Sequence, residues 1–433
     1  MNANIVSMTD EKILRDQTVI IDGNKVCSIG RKSAVKTPPN TLVIDCLGRY
    51  YLMPGLADMH VHVWNESDLL LFVANGVTTI RNMWRSQRQL SWRRRVAKGT
   101  LLGPTIYSAG ALLDGDPPLW KDAKVIRNPQ AARTEVAREK RTGYDFVKVY
   151  NRLSPSSYKS IVAAAKKCGM PVAGHVPDAV GLHGVLAAGQ ASIEHLDGYL
   201  RALQHDDSPT KENLNLNLRY GAVEHFDRRK IPQLAEATRD AKVWNCVTLV
   251  VFQKWVLKEE ASRLLAQPAM RFVRPQLREE WDPSKNFLLK GRSAENVEGF
   301  RKADQIRRQI VAAMKEAGAK ILLGTDTPNP LVIPGFSIHE ELQNLVDAGL
   351  SPYEAIKAGT RDAAAFLDAS GEFGTIETGG RADLILTEDD PLMDVQNVSR
   401  RVGVMVRGRW LTEAKLQRML EDLVASYVPA EAQ

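Results

Sequence analysis

Four cysteines in 433 residues, Cys27, Cys46, Cys168 and Cys246, are too few and too scattered to staple a fold or to form a Cys-x-x-Cys pair. They read as reduced, mainly apolar side chains, which fits a reducing compartment. Also missing is any apolar run of the roughly 18 residues that a bilayer-spanning helix needs, so no membrane role is expected. The opening MNANIVSMTDEKILRD has no basic-then-apolar leader; a chain trimmed of one would look the same, and the expected location is the cytoplasm. Long blocks of one charge are absent as well. The net +7 comes from 58 basic and 51 acidic residues. The densest basic run, Arg93-Arg94-Arg95, falls in RSQRQLSWRRRVAKG, which reads as the solvated face of a helix. No aromatic motif accompanies it, so nucleic-acid binding is not expected.

What is present is enough apolar sequence, 44% of the chain, for a large core without disulfides. The rhythm changes along the chain. The first fifty residues read as short strands and turns, with a hairpin in TVIIDGNKVCSIG followed by TLVIDCLGRYYLMPG. GRADLILTEDDPL and VGVMVRGRWL repeat that texture near the other end, so the two termini are expected to pair into one small sheet. Between them apolar runs alternate with helical stretches. The run ending at His62 is followed by VTTIRN (77–82), PTIYSAG (104–110), YDFVKVYN (144–151), MPVAGHV (170–176), ASIEHLD (191–197), AKVWNCVTLV (241–250) and AKILLGTDT (319–327). Eight helix-separated strands predict an α/β chain with a (β/α)8 TIM barrel. The expected divisions are 1–52 and 373–433 for the two parts of a terminal β-sandwich, with a C-terminal helix, and 53–372 for the barrel. Ser154 before Pro155 opens one helix, and the capping box Ser351-Pro352-Tyr353-Glu354 opens another over 352–368. The stretch from about 251 to 318 is too long for one strand–helix connection; it reads as a helical insertion serving as lid or interface.

Histidine is scarce too, eight in all, yet two stand one residue apart in GLADMHVHVW. On a strand, residues i and i+2 face the same way, so His60 and His62 present both imidazoles in one direction, as a divalent metal requires. Barrel chemistry gathers at the C-terminal ends of the strands. There the sequence places His60, His62, Lys148, His175, His195 and Asp326. Taken singly, each has an ordinary reading: a snorkelling lysine, a buried histidine, a turn-capping aspartate. Their coincidence at successive strand ends points to a metal site.

The pattern PGLADMHVH, Lys148 in VKVY, His175, His195 and Asp326 in GTD resembles the amidohydrolase superfamily of metal-dependent hydrolases. GRYYLMPG before the barrel and GTIETGGRADLILTEDDPL after it resemble the small β-sandwich of that superfamily. PGFSIHEELQNLVDAGLSPYEAIKAGT is similar to its imidazolonepropionase-like branch, which includes Xaa-Pro dipeptidases. The resemblance implies that His60, His62 and Asp326 hold one divalent ion and His175 and His195 a second. It implies that CO2 carboxylates Lys148 on its amine, so that the resulting anion bridges both ions. Zinc is the default for such a His-rich hydrolytic site. The implied reaction is hydrolysis of an amide or peptide bond in a small N-acyl amino acid or dipeptide-like substrate by a metal-bridging hydroxide, with Asp326 moving the proton. Lactone, organophosphate or imidazolone-ring hydrolysis would use the same two-metal site. A non-catalytic scaffold should lack ligands, and none is missing.

Tyr150 shares the face of Lys148, and its hydroxyl is a candidate partner for the substrate carbonyl. His339, at a helix start, is a further candidate for a substrate or supporting role. Trp64, Trp84, Trp120 and Trp244 lie at or beyond strand ends and are expected to line an aromatic-accepting pocket. LLDGDPPLW, within the 110–133 loop, and the 251–318 stretch would set specificity. His183, His205 and His225 are assigned no role. The expected partners are a small-molecule substrate and further copies of the chain.

Overall fold

The hydrophobic rhythm changes twice along the chain, and the architecture changes with it. The structure, a computed structural model, describes residues 1–208, 223–256, 261–282, 285–286 and 294–427. Strands β1 (Ala3–Val6), β2 (Ile13–Asp22), β3 (Lys25–Arg31) and β4 (Tyr51–Pro54) come first. Next are β5 (Leu56–Val61), β6 (Val77–Asn82), β7 (Thr105–Asp114), the short β8 (Lys124–Val125), β9 (Phe146–Val149), β10 (Val172–Gly174), β11 (Ser192–Glu194), β12 (Trp244–Cys246) and β13 (Lys320–Leu322). The chain closes with β14 (Leu384–Thr387), β15 (Arg401–Val406) and β16 (Arg409–Thr412).

Both termini build one mixed sheet in the order β16-β15-β14-β4-β1-β2-β3. The β2–β3 hairpin turns at Gly23-Asn24, where Gly23 takes a φ of 56° that a side chain would resist. Val26 from one end of the sheet and Met405 and Trp410 from the other share an apolar cluster with Ile5 and Leu384. The sheet thus folds over itself as a sandwich. Only the last part of TLVIDCLGRYYLMPG forms a strand; residues 41–46 are irregular, and Cys46 N–H bonds to the Met1 carbonyl at 2.8 Å. The helix Glu413–Ala425 starts at Thr412, whose side chain caps Lys415 N–H, and its Leu416 and Leu420 pack on Leu71 and Ala74 of the barrel.

The barrel strands follow one parallel path, β5-β6-β7-β9-β10-β11-β12-β13, with β8 added beside β7. The two ends meet through Met59 N–H to Leu323 O at 2.9 Å, Asp326 N–H to His60 O at 2.7 Å and His62 N–H to Thr327 O at 2.7 Å. Alternation decides what faces inward. On β9, Val147 and Val149 join the large core shared with the helices, while Phe146 packs with Met83, Ala109 and Ala173 inside the barrel. Lys148 and Tyr150, on the Phe146 side, therefore point into the lumen, and Lys148 is 1% exposed.

The helical signals behave as expected in most places. Ser154 Oγ accepts from Ser157 N–H at 3.2 Å, and Ser351 and Glu354 form the reciprocal capping box. The helix expected over 352–368 is instead two, Pro352–Ala358 and Arg361–Phe366, broken at Gly359, where an added Cβ would stand 2.4 Å from Leu323. The strand expected over 241–250 stops at Cys246, and Leu249–Val256 is a helix. The Glu341 carboxylate accepts the N–H groups of Leu249 and Val250 at 2.8 and 2.6 Å, capping that helix start.

The insertion is also smaller than expected. Helix Ala294–Ala317 packs along helices Ile231–Asp240 and Leu249–Val256, so it belongs to the barrel's helical jacket. The described part of the true insertion packs Trp281, Met270 and Leu264 against Leu331–Ile333, the segment after β13. Phe272 stacks on Phe336, and Arg271 pairs with Glu421 of the C-terminal helix. No described helix is long and apolar enough to cross a membrane.

Candidate metal centre

Six ionisable side chains meet at the C-terminal mouth of the barrel, carried by β5, β9 and the residues just past β5, β10, β11 and β13. The ring centroids of His60 lie 5.2 Å from His62 and 4.5 Å from His195, and His175 lies 5.0 Å from His195. Asp326 Oδ1 stands 2.9 Å from His62 Nε2 and 3.3 Å from His60 Nε2, and its other oxygen stands 3.7 Å from His195 Nδ1. Lys148 is buried in the same lumen and feels the charge of Asp326.

The backbone is bent to make this possible. His175, His195 and Asp326 were expected within strands but follow their ends. His195 and Asp326 adopt left-handed φ values of 63° and 58°, a conformation non-glycine residues hold only where the surroundings compensate. The glycine of the GTD motif has a steric cause: a Cβ on Gly324 would lie 2.4 Å from Cys246 Sγ and 2.9 Å from His60 N.

Hydrogen bonds define the imidazole tautomers. His60 Nδ1 lies 2.7 Å from Glu194 Oε2; a carboxylate held also by Arg81 can only accept, so Nδ1 carries the proton and Nε2 offers its lone pair. Asn151 donates its amide N–H to Asp197 at 3.0 Å, so its carbonyl accepts from His175 Nδ1 at 2.8 Å and leaves His175 Nε2 unprotonated. His195 Nδ1 is 2.7 Å from Thr248 Oγ1. Burial, followed by the charge of Lys148, holds His60 and His175 well below the usual imidazole range. Burial brings His195 down to about 4, so all three imidazoles are neutral at pH 7, as metal ligands must be. Burial also brings Lys148 down to about 8, so more of its amine is neutral near pH 7 than in an exposed lysine, and only the neutral amine can react with CO2.

Residues 51–411 match the amidohydrolase family. The chain belongs to that family. Among curated proteins it is 24% identical to the ochratoxinase of Aspergillus niger, over 91% of this chain and 82% of that one. Among solved structures it resembles a bottromycin amidohydrolase, with a TM-score of 0.77 and 24% identity over 98% of this chain and 89% of that one. A putative prolidase from Bifidobacterium longum gives a TM-score of 0.69 at 22% identity, covering 98% of this chain and 97% of the other. Members of the family are hydrolases of amide bonds and generally use divalent metals.

The donor set fits such ions. His60 Nε2 and Asp326 Oδ1 are buried without a hydrogen-bond partner, and so is His62 Nδ1. Two donors each about 2.1 Å from one tetrahedral ion stand about 3.4 Å apart, which matches the His60–Asp326 separation of 3.3 Å. His60, His195 and Asp326 bring ligand atoms within 4.8 Å of one another. His60, Glu194 and Cys246 do so as well, but that group is no metal site: the His60 nitrogen facing it is protonated, Glu194 is occupied by Arg81 and Ser192, and burial pushes the Cys246 thiol up.

Several contributors lay outside the sequence reading. Arg81, Ser192 and Glu194, all 0% exposed, form a network beneath His60: Arg81 Nη2 donates to Glu194 at 2.7 Å and Ser192 Oγ donates at 2.5 Å. Charged residues inside the apolar runs VTTIRN and ASIEHLD were the available signal. Asp58 receives Thr325 Oγ1 at 2.6 Å and Thr325 N–H at 2.9 Å, tying β5 to the segment that carries Asp326.

Tyr150 lies in the lumen with its ring 4.0 Å from that of His175, and its oxygen accepts from Trp120 Nε1 at 2.9 Å. Trp64, Trp84 and Trp120 line the mouth, but Trp244 does not. It begins β12 at the opposite end, stacked edge-on to Phe366 and covered by Lys320, because that parity turns inward at the barrel's floor. His339 is also elsewhere: its helix face turns toward the terminal sheet, and Nε2 accepts from Arg401 Nη1 at 3.2 Å. Burial, with Arg401 beside it, lowers His339 to about 3. Neither residue joins the cluster.

Proposed function

We propose that the chain is a binuclear metal-dependent amidohydrolase that cleaves the amide or peptide bond of a small N-acyl amino acid or dipeptide-like substrate. The observation that carries this reading is the convergence of four imidazoles, Asp326 and Lys148 on one mouth, with buried acceptors left without partners. In this reading His60, His62 and Asp326 would hold one ion, His175 and His195 would hold the other, and Lys148, carboxylated by CO2, would supply an anionic group to both. Divalent ions so held, zinc by donor type, acidify water and polarise a carbonyl.

The chain's own groups supply the rest. Burial alone would raise the Asp326 carboxyl, but its surroundings, with His62 Nε2 at 2.9 Å, hold it below the usual range. It is thus an unprotonated acceptor for the proton of the attacking water, which it returns to the departing amine. Tyr150 Oη already accepts the Trp120 N–H, so its own O–H is available to donate to the developing oxyanion. Glu194, Asn151 and Thr248 hold His60, His175 and His195 in the ligating orientation. The four cysteines are all free, which supports a reducing location such as the cytoplasm.

Elemental analysis and a substrate panel test the reading together. Purified protein is expected to carry about two divalent ions per chain and to hydrolyse some N-acyl amino acids or dipeptides. Lys148→Ala is expected to abolish turnover and lower the metal content. Full activity and full metal in that variant would refute the bridging role.

A further inference from the structure

Three tryptophans from three separate loops form a continuous aromatic arc at the mouth. Trp64, just beyond β5, lies almost parallel to His62, with centroids 6.1 Å apart and planes 10° apart. Trp84, beyond β6, meets Trp64 edge-to-face at 5.7 Å and also meets His62 at 5.8 Å. Trp120, in the loop after β7, meets Trp84 edge-to-face at 5.7 Å. Its N–H then bonds Tyr150, whose ring lies against His175. The arc therefore starts on one candidate ligand and finishes on another, passing along the β5, β6, β7 and β9 side of the opening.

This wall is not core packing. Trp64 is 39% exposed and Leu119, beside Trp120, is 47% exposed; Trp84 and Trp120 are only partly buried. Among the described residues just seven large apolar side chains are exposed, and two of them stand here. Trp64 leaves 39% of its surface wet and Trp84 and Trp120 leave part of theirs, an apolar area that a bound group would remove from water. The edge-to-face chain holds the rings in fixed relative orientation, so a flat partner meets a preorganised surface.

We propose that Trp64, Trp84 and Trp120 bind a planar aromatic group of the substrate, attached to one side of the scissile amide, by stacking. The proposal rests on the amide-hydrolase reading and narrows its substrate class to aryl-bearing amides. Stacking of a ring on an aromatic side chain is worth about 1–3 kcal/mol, or about 5- to 150-fold.

Two substrate series locate the ring. One varies the acyl half, N-acetylalanine against N-(2-naphthoyl)alanine; the other varies the amine half, N-acetylalanine against N-acetyltryptophan. The metal-loaded enzyme is expected to prefer the aryl member of one series in kcat/KM by about 10- to 100-fold. Trp64→Leu and Trp84→Leu are expected to reduce that aryl-to-alkyl ratio toward unity. The ratio is the informative quantity, because a variant that merely loses metal slows both members equally. Equilibrium dialysis of the same compounds against metal-stripped protein supplies a readout independent of turnover. If nothing is hydrolysed but the aryl compound is retained and Trp64→Leu releases it, the amide-hydrolase reading fails and the wall stands. Equal kcat/KM within both series, or equal retention of aryl and alkyl compounds, would overturn the proposal.

Discussion

Glu194→Gln probes the buried support of the metal centre directly. The Glu194 carboxylate receives Arg81, Ser192 and His60 Nδ1, and all four side chains are shut off from solvent. An amide of the same shape keeps one acceptor but removes the charge that compensates Arg81. Breaking a buried pair from one side costs about 3–5 kcal/mol, because the remaining charge stays desolvated. At about 2.1 cal/mol/K of unfolding entropy per residue, 433 residues give roughly 0.9 kcal/mol/K, so Tm should fall by about 3–6 °C. Calorimetry on the metal-free protein reads this loss. His60 also loses the partner that keeps its Nε2 lone pair aimed at the proposed ion, so metal affinity should fall by about 10- to 100-fold in a chelator competition. Removing both charges, as Arg81→Met with Glu194→Gln, should recover at least half of the lost Tm but not the metal affinity. A single variant with unchanged Tm and unchanged affinity would refute the argument that this network positions His60.

Other outcomes follow from local geometry. A Cβ on Gly174, where φ is 137°, would meet Val149 O at 2.2 Å, so Gly174→Ala should cost about 2–5 kcal/mol and displace His175, read as lower Tm and lower metal content. Burial raises Glu139 from the ordinary carboxylate value of 4.5 to about 8, so the folded state binds the extra proton and stability falls as pH rises from about 4.5 to about 8. Glu139→Gln, which keeps an acceptor for Ala111 N–H, should flatten the Tm profile across that window; parallel profiles for the two proteins would contradict it. His339→Gln keeps an acceptor for Arg401 and should leave kcat/KM within about threefold while costing about 1 kcal/mol of stability; a loss of about 100-fold would return His339 to the reaction.

Much of this molecule is written in local pattern. The i, i+2 spacing of His60 and His62, the alternation around Lys148 and the strand–helix rhythm need only neighbouring residues to be read, because a strand's period decides which side chains share a face. The same logic put Tyr150 on the Lys148 face. Local pattern is silent about which partner waits across the barrel. Glu194 beneath His60 and Arg81 beside Glu194 are contacts between strands far apart in the chain, created when the cylinder closes through Met59, His60 and His62, and Asn151 fixes the His175 tautomer only once β9 and β10 pair. Tertiary packing likewise sent Trp244 to the barrel floor and His339 toward the terminal sheet, and it moved helix Ala294–Ala317 from insertion to jacket. Periodicity thus chose the faces, whereas register and closure, which are long-range properties, chose the partners.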